Sequence, residues 1–136
     1  MDDLYHLAFF HPTVFSTFIT FIGIVSPYKA QITELRKALK KDLPPQMSTH
    51  IEVNTVDGFQ GRERDVIIFS CVRTHGIGFL SDERRLNVAI TRARYACILV
   101  GNTTCLRKNA TWMALIQHMN ERKLVQVQPD NPKLAR

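Results

Sequence analysis

A chain of 136 residues can bury one sizeable core but is short for two ordinary domains. Its 45% hydrophobic and 22% charged residues are globular values, and a net charge of +6 with a pI near 9.6 favours a polyanionic partner such as nucleic acid. Three cysteines without a CxxC pair and scattered histidines exclude a disulfide framework and a zinc site.

Residues 1–20 differ from the rest. Leu7-Ala8-Phe9-Phe10 and the run from Val14 to Phe21 are apolar and rich in aromatics, with Pro12 between them. Asp2 and Asp3 stand where a signal peptide would carry basic residues, and no small-residue cleavage site follows. From Val14 to Val25 the apolar run is too short and too polar for a membrane span. The segment is expected either to bury itself against the strand that follows or to lack its proper partner. Exposed apolar area is then expected around Phe9, Phe10, Phe15 and Phe18.

From Phe21 short apolar runs alternate with helical patterns. Phe21 to Val25 reads as a buried strand that Pro27 ends. Tyr28 to Lys41 reads as a helix, apolar at Ala30, Ile32, Leu35, Ala38 and Leu39 and stopped by Pro44-Pro45. Ile51 to Val56 is strand-like, and a glycine-bearing loop leads to a strand from Val66 to Val72. Gly76 and Gly78 mark a second loop, after which Asp82 can cap a helix. Ala96 to Val100 is a strand, Gly101-Asn102 a turn, and Trp112, Leu115, Ile116 and Met119 lie on a further helix. Leu124 to Val127 makes a last short strand, and 129–136 is a polar tail. Cys71 and Cys97 sit inside apolar runs as buried reduced thiols, which suits a nuclear or cytosolic compartment. Continuous apolar strands flanked by helices imply a doubly wound α/β domain with a mostly parallel sheet covered on both faces. Ligands are expected at the carboxyl ends of its strands.

The stretch Arg84-Arg85-Leu86-Asn87-Val88-Ala89-Ile90-Thr91-Arg92-Ala93-Arg94 carries the strongest chemical signal. Leu86, Ala89, Ile90 and Ala93 recur at helical offsets, leaving arginines at both ends of the helix. Arg92 lies among small and apolar residues, where a long cation is costly without an anion to meet. Its planar fork of donors suits phosphate oxygens, although a snorkelling surface arginine would read the same.

Upstream stand Val53-Asn54-Thr55-Val56-Asp57-Gly58-Phe59-Gln60-Gly61-Arg62-Glu63-Arg64-Asp65 and Val66-Ile67-Ile68-Phe69-Ser70-Cys71. With the arginine stretch, in this order, they resemble motifs V and VI of superfamily 1 helicases of the nonsense-mediated-decay helicase and senataxin group. Ile22-Gly23-Ile24-Val25-Ser26-Pro27-Tyr28-Lys29-Ala30-Gln31 is similar to the preceding motif of that group. Ser70-Cys71-Val72-Arg73, Ile77-Gly78-Phe79-Leu80 and Leu99-Val100-Gly101-Asn102 fit as well, so that the resemblance runs from Phe21 to about Val127. It implies a second RecA-like domain over 21–128, preceded by an unmatched segment at 1–20.

The resemblance also implies roles. Arg92 matches the arginine finger that stabilises charge developing on the γ-phosphate of ATP. Gln60, Gly61 and Glu63 match the edge of the nucleotide site, with Glu63 either accepting from ribose or orienting a neighbouring arginine. Arg94 reads better as a support of the helix or the partner of an acid, Arg85 as a structural ion-pair residue, and Asp57 as a brace or cap. Ser26, Pro27 and Thr55 are implied as single-strand contacts, with Tyr28, Lys29 and Arg73 as weaker ones; an aromatic placed after a strand, like Tyr28, is more often packing.

Neither a GxxxxGKS/T phosphate loop nor an Asp-Glu pair closing an apolar strand occurs. In the resembled group these belong to the first RecA-like domain, which would bind Mg2+ and ATP and be the partner of this chain. The motif that opens the second domain in that group is also absent. The chain therefore reads as a fragment, an unusual splice or gene product, or a partial chain, and is not expected to hydrolyse ATP alone. Two readings remain: the C-terminal motor half of an ATP-dependent 5′-3′ helicase on single-stranded RNA or DNA, or a truncated, non-enzymatic module binding nucleic acid or protein. No membrane role is expected.

Overall fold

A computed structural model describes residues 5–10, 21–59, 61–71 and 78–127, with backbone only at 5–10 and 127. Strand β1 (Tyr5–Phe10) precedes β2 (Ile22–Ser26), helix α1 (Lys29–Asp42), the short α2 (Pro45–Ser48) and β3 (Ile51–Thr55). Next come β4 (Arg64–Cys71), α3 (Glu83–Ile90), β5 (Ala93–Gly101), the short α4 (Thr103–Leu106), α5 (Ala110–Glu121) and β6 (Val125–Val127). The six strands lie in the order β3-β2-β4-β5-β1-β6. The first four in that order are parallel, and β1 pairs antiparallel with both β5 and β6. This is the expected α/β arrangement, a mostly parallel sheet of RecA-like type.

Alternation along the strands sends neighbouring residues to opposite faces. Ile22 and Ile24 of β2, with Ile51, Val53 and Ile68, meet Ile32, Leu35 and Leu39 of α1. Val25, Ile67, Phe69, Cys97 and Leu99 turn the other way and join Leu86 and Ala89 of α3 and Trp112, Ile116 and Met119 of α5. Both faces are therefore covered. Only Ile32, Leu35 and Leu39 of the apolar α1 positions face the sheet, and Ala30 and Ala38 are exposed. Alanine has little apolar area to lose, so it does not define the buried stripe.

Trp112 is fully buried, stands 6.4 Å from the Phe69 ring, and donates its indole N–H to the Leu80 carbonyl at 2.6 Å. That bond fastens the 3-10 turn Gly78–Ser81 to α5. The arginine helix is shorter than its apolar pattern: it ends at Ile90, and Ala93 and Arg94 belong to β5. The Arg92 carbonyl accepts from Arg64 N–H at 3.0 Å, so the chain is already committed to the sheet where the apolar spacing would continue the helix. Strand β1 lies beside β5, with β4 and β5 between it and β2, the strand that follows it in sequence. The expectations about Phe9, Phe10, Phe15 and Phe18 fall outside the described side chains.

Cys71, Cys97 and Cys105 are buried free thiols. Burial pushes Cys71 well above the ordinary thiol value, with Cys97 nearby adding to the rise, and burial pushes Cys97 up to about 12. A thiol raised on folding stabilises the fold fully below its unfolded value, about 8.5, and loses that contribution as pH climbs through the folded value. Between pH 8 and 11 wild-type stability should fall more steeply than that of Cys97→Ala; parallel urea-unfolding curves against pH would contradict this. Replacing Trp112 with alanine should cost about 3–5 kcal/mol and Trp112→Phe clearly less, because the phenyl ring keeps the packing and loses only the bond to Leu80. Denaturant midpoints of both variants check it.

Candidate nucleotide and nucleic-acid sites

The expected site residues separate onto opposite edges of the parallel sheet. Gly61 and Glu63 immediately precede β4, and Arg92 immediately precedes β5, so all three stand at the amino edge. Ser26 closes β2 and Thr55 closes β3, and they are register partners at the carboxyl edge, with Pro27 and Tyr28 just beyond. Gln60 and Arg73 lie outside the described residues.

At the amino edge, parallel pairing sets Arg64 against Ala93, with an irregularity before Val66. The two connections that precede these strands are thereby neighbours. Gly61 has φ +75°, the left-handed region that favours glycine, and a Cβ there would meet nothing within 4 Å. The backbone is thus bare on that side. Glu63 accepts from Arg94 Nε at 3.5 Å, and Arg94 Nη1 lies 3.7 Å from Asp65 Oδ1. Arg94 is thus the ion-pair residue its sequence context suggests.

Arg92 is different. Its Nε donates to the Val88 carbonyl at 3.3 Å, near the end of α3, and it is half-buried. Among the described residues no carboxylate lies within 4.0 Å of it, although Glu63 and Asp65 occupy the same edge. The rest of its donor fork is uncommitted, and such a group suits phosphate oxygens. Gly61 and Arg92 therefore fit a nucleotide. Among the described residues no group of three or more His, Cys, Asp or Glu could hold a metal ion.

Asp65 is not legible in the sequence as part of this edge. Only 8% of its side chain is exposed, and it accepts from Phe21 N–H at 3.0 Å while Phe21 O accepts from Asp65 N–H at 3.1 Å. A carboxylate at the start of an apolar run carries no sequence sign of burial. Beside it, Glu52 pairs with Arg62 at 2.6 Å and with Arg64, whose guanidinium lies 5.8 Å from the buried Phe59 ring.

The carboxyl edge holds a cleft of about 320 Å3 lined by Pro27, Tyr28, Lys29, Thr55, Val56, Asp57, Phe79 and Arg85. Ser26 is fully buried, and its hydroxyl accepts from Tyr28 N–H at 3.3 Å, so it braces the turn that presents Pro27 and Tyr28. Thr55 Oγ1 accepts from Gly58 N–H at 3.2 Å, which leaves its own proton to donate. Arg85 pairs with Asp57 at 3.7 Å and with Asp82 at 3.8 Å, and Asp82 caps α3 by accepting from the N–H groups of Arg84 and Arg85. Among the described residues no helix is long and apolar enough to cross a membrane.

The sequence profile of a family described as an AAA domain matches residues 6–104. Helicase sen1 of Schizosaccharomyces pombe is 47% identical over 108 residues, covering 77% of this chain and 6% of that protein. A probable helicase of Dictyostelium discoideum is 49% identical over 121 residues, 85% of this chain and 12% of its own length. The regulator of nonsense transcripts 1 homolog of Arabidopsis thaliana is 44% identical over 115 residues, 81% of this chain and 9% of its own. The chain thus corresponds to a small part of the relatives it matches.

The two carboxylates that Arg94 touches should contribute unequally. Asp65→Ala removes a part-buried, charge-assisted bond to Phe21 and should cost about 1.5–3 kcal/mol, whereas Glu63→Ala breaks an exposed pair worth under about 1 kcal/mol. Equal urea midpoints for the two variants would contradict the burial assigned to Asp65.

Proposed function

We propose that this chain, which belongs to the AAA-domain family and is a second RecA-like domain of the superfamily 1 helicases of the nonsense-mediated-decay and senataxin group, is the C-terminal motor half of an ATP-dependent helicase. The reading is supported most directly by Arg92, a half-buried guanidinium with no carboxylate partner among the described residues, at the same edge as an open glycine connection. Residues 21–128 carry the motifs.

ATP is the substrate, bound between this amino edge and a first RecA-like domain that supplies the phosphate loop and Mg2+. Gln60, Gly61 and Glu63 border the nucleotide, and Glu63 has to exchange Arg94 for ribose or hold both. Arg92 meets the γ-phosphate, where its charge and fork offset the negative charge of the transition state. Tethering its Nε to Val88 holds the guanidinium in place, so little freedom is lost on engagement. Pro27, Tyr28 and Thr55 contact phosphate and sugar of a single RNA or DNA strand, Ser26 braces their turn, and Arg73 adds charge. Closure of the two domains on ATP steps them 5′ to 3′ along the strand, in a nuclear or cytoplasmic setting. The chain alone is silent as an ATPase.

Single-strand-stimulated ATP hydrolysis tests this, measured on the chain alone and on the chain joined to a phosphate-loop-bearing first domain of the same group. The expected pattern is silence alone, turnover when joined, and a loss of about a thousandfold with Arg92→Ala. Robust turnover by the isolated chain would overturn the reading. A silent joined protein that still binds nucleic acid would favour a non-enzymatic binding module instead.

A further inference from the structure

We propose that Phe79, beside Arg85 and Tyr28 at the carboxyl edge, is a stacking platform for one base of a bound single strand. The inference rests on reading that edge as the strand's track, and it adds a residue and a kind of contact.

Phe79 is 55% exposed, while the next residue, Leu80, is 3% exposed. The turn that carries it is braced three times: Trp112 donates to Leu80 O at 2.6 Å, Ser81 Oγ donates to Gly78 O at 2.8 Å, and Asp82 N donates to Phe79 O at 3.2 Å. A rigid turn therefore holds a large apolar ring out in water. A scattered surface phenylalanine would need no explanation. This one forms a wall of a cleft of about 320 Å3, at the low end of the roughly 300–1,000 Å3 typical of small-ligand sites.

The surroundings of the ring define the ligand. The Arg85 guanidinium lies 5.0 Å from its centroid, and the Tyr28 ring lies 6.0 Å away, tilted by 56°. Asp57 and Asp82 hold Arg85 at 3.7 and 3.8 Å, so its position over the ring is maintained. Lys29 and Thr55 on the same cleft suit phosphate and sugar. Phe21, Met47, Tyr95 and Met113, the other large exposed apolar side chains among the described residues, do not line it. One exposed ring, in a cleft that also carries Lys29, Thr55 and the paired Arg85, matches a flat π-face carried on a phosphate chain better than the contiguous apolar surface of a protein partner.

Fluorescence anisotropy of the full chain with a labelled oligouridylate and with an abasic strand of equal length tests the proposal. Base stacking is worth about 1–3 kcal/mol, so Phe79→Ala should raise Kd for the oligouridylate by about 5- to 150-fold and leave the abasic strand unaffected. Phe79→Trp should keep the affinity, and the emission of its exposed indole should be quenched as strand is added. Equal affinity of Phe79→Ala and wild type for oligouridylate would overturn the platform while leaving the track intact. So would an equal loss for both strands. Wild type binding neither strand would remove the track itself, and the platform with it.

Discussion

The pairing of β4 with β5 is the constraint on which the candidate nucleotide edge depends. The two connections that precede these strands are about thirty residues apart in the chain. Parallel register sets Arg64 opposite Ala93, and the Arg64 N–H bond to Arg92 O locks the starts of the two strands together. Everything chemical at that edge follows. Arg94 falls within reach of Glu63 and Asp65, while Arg92, two residues earlier, is turned back onto the carbonyl of Val88. A slip of β5 by one residue would turn its side chains to the opposite face and separate these groups.

The same sheet keeps the two candidate activities apart. The candidate nucleotide groups stand where β4 and β5 begin, and the cleft of Tyr28, Thr55 and Phe79 stands where β2 and β3 end. The strands between are buried on both faces, and β4 has only two residues that are not fully buried.

Much of this is legible in the sequence because the main elements carry strong local signals. Pro27 and Pro44 bound α1, Asp82 caps α3, and the apolar runs around Ile67 and Leu99 can only be interior strands. The short helices α2 and α4 are not legible, since four residues are too few to show a period. The end of α3 is hidden because Ala93 continues its apolar spacing and no Gly or Pro interrupts it; a hydrogen bond to a distant strand ends the helix. Arg94 and Arg85 are recognisable as ion-pair residues, but their partners are not. Ser26 reads as a strand-end hydroxyl on offer to a ligand, and it is fully buried beneath its own turn.

What the sequence determined by itself was the α/β class, the succession of the main elements and the identity of the motif residues, because each rests on neighbours within a few positions of the chain. Ligands are expected at the carboxyl ends of the strands, yet the arginine and glycine that best suit a nucleotide lie at the amino ends. Which edge a loop occupies depends on strand direction and order. Those are set by burial of both sheet faces and by hydrogen bonds between segments tens of residues apart. Only the tertiary structure therefore decided that Arg92 has no carboxylate within 4.0 Å among the described residues, that Asp65 is buried beneath Arg94, and that Phe79 faces water from a turn anchored by Trp112.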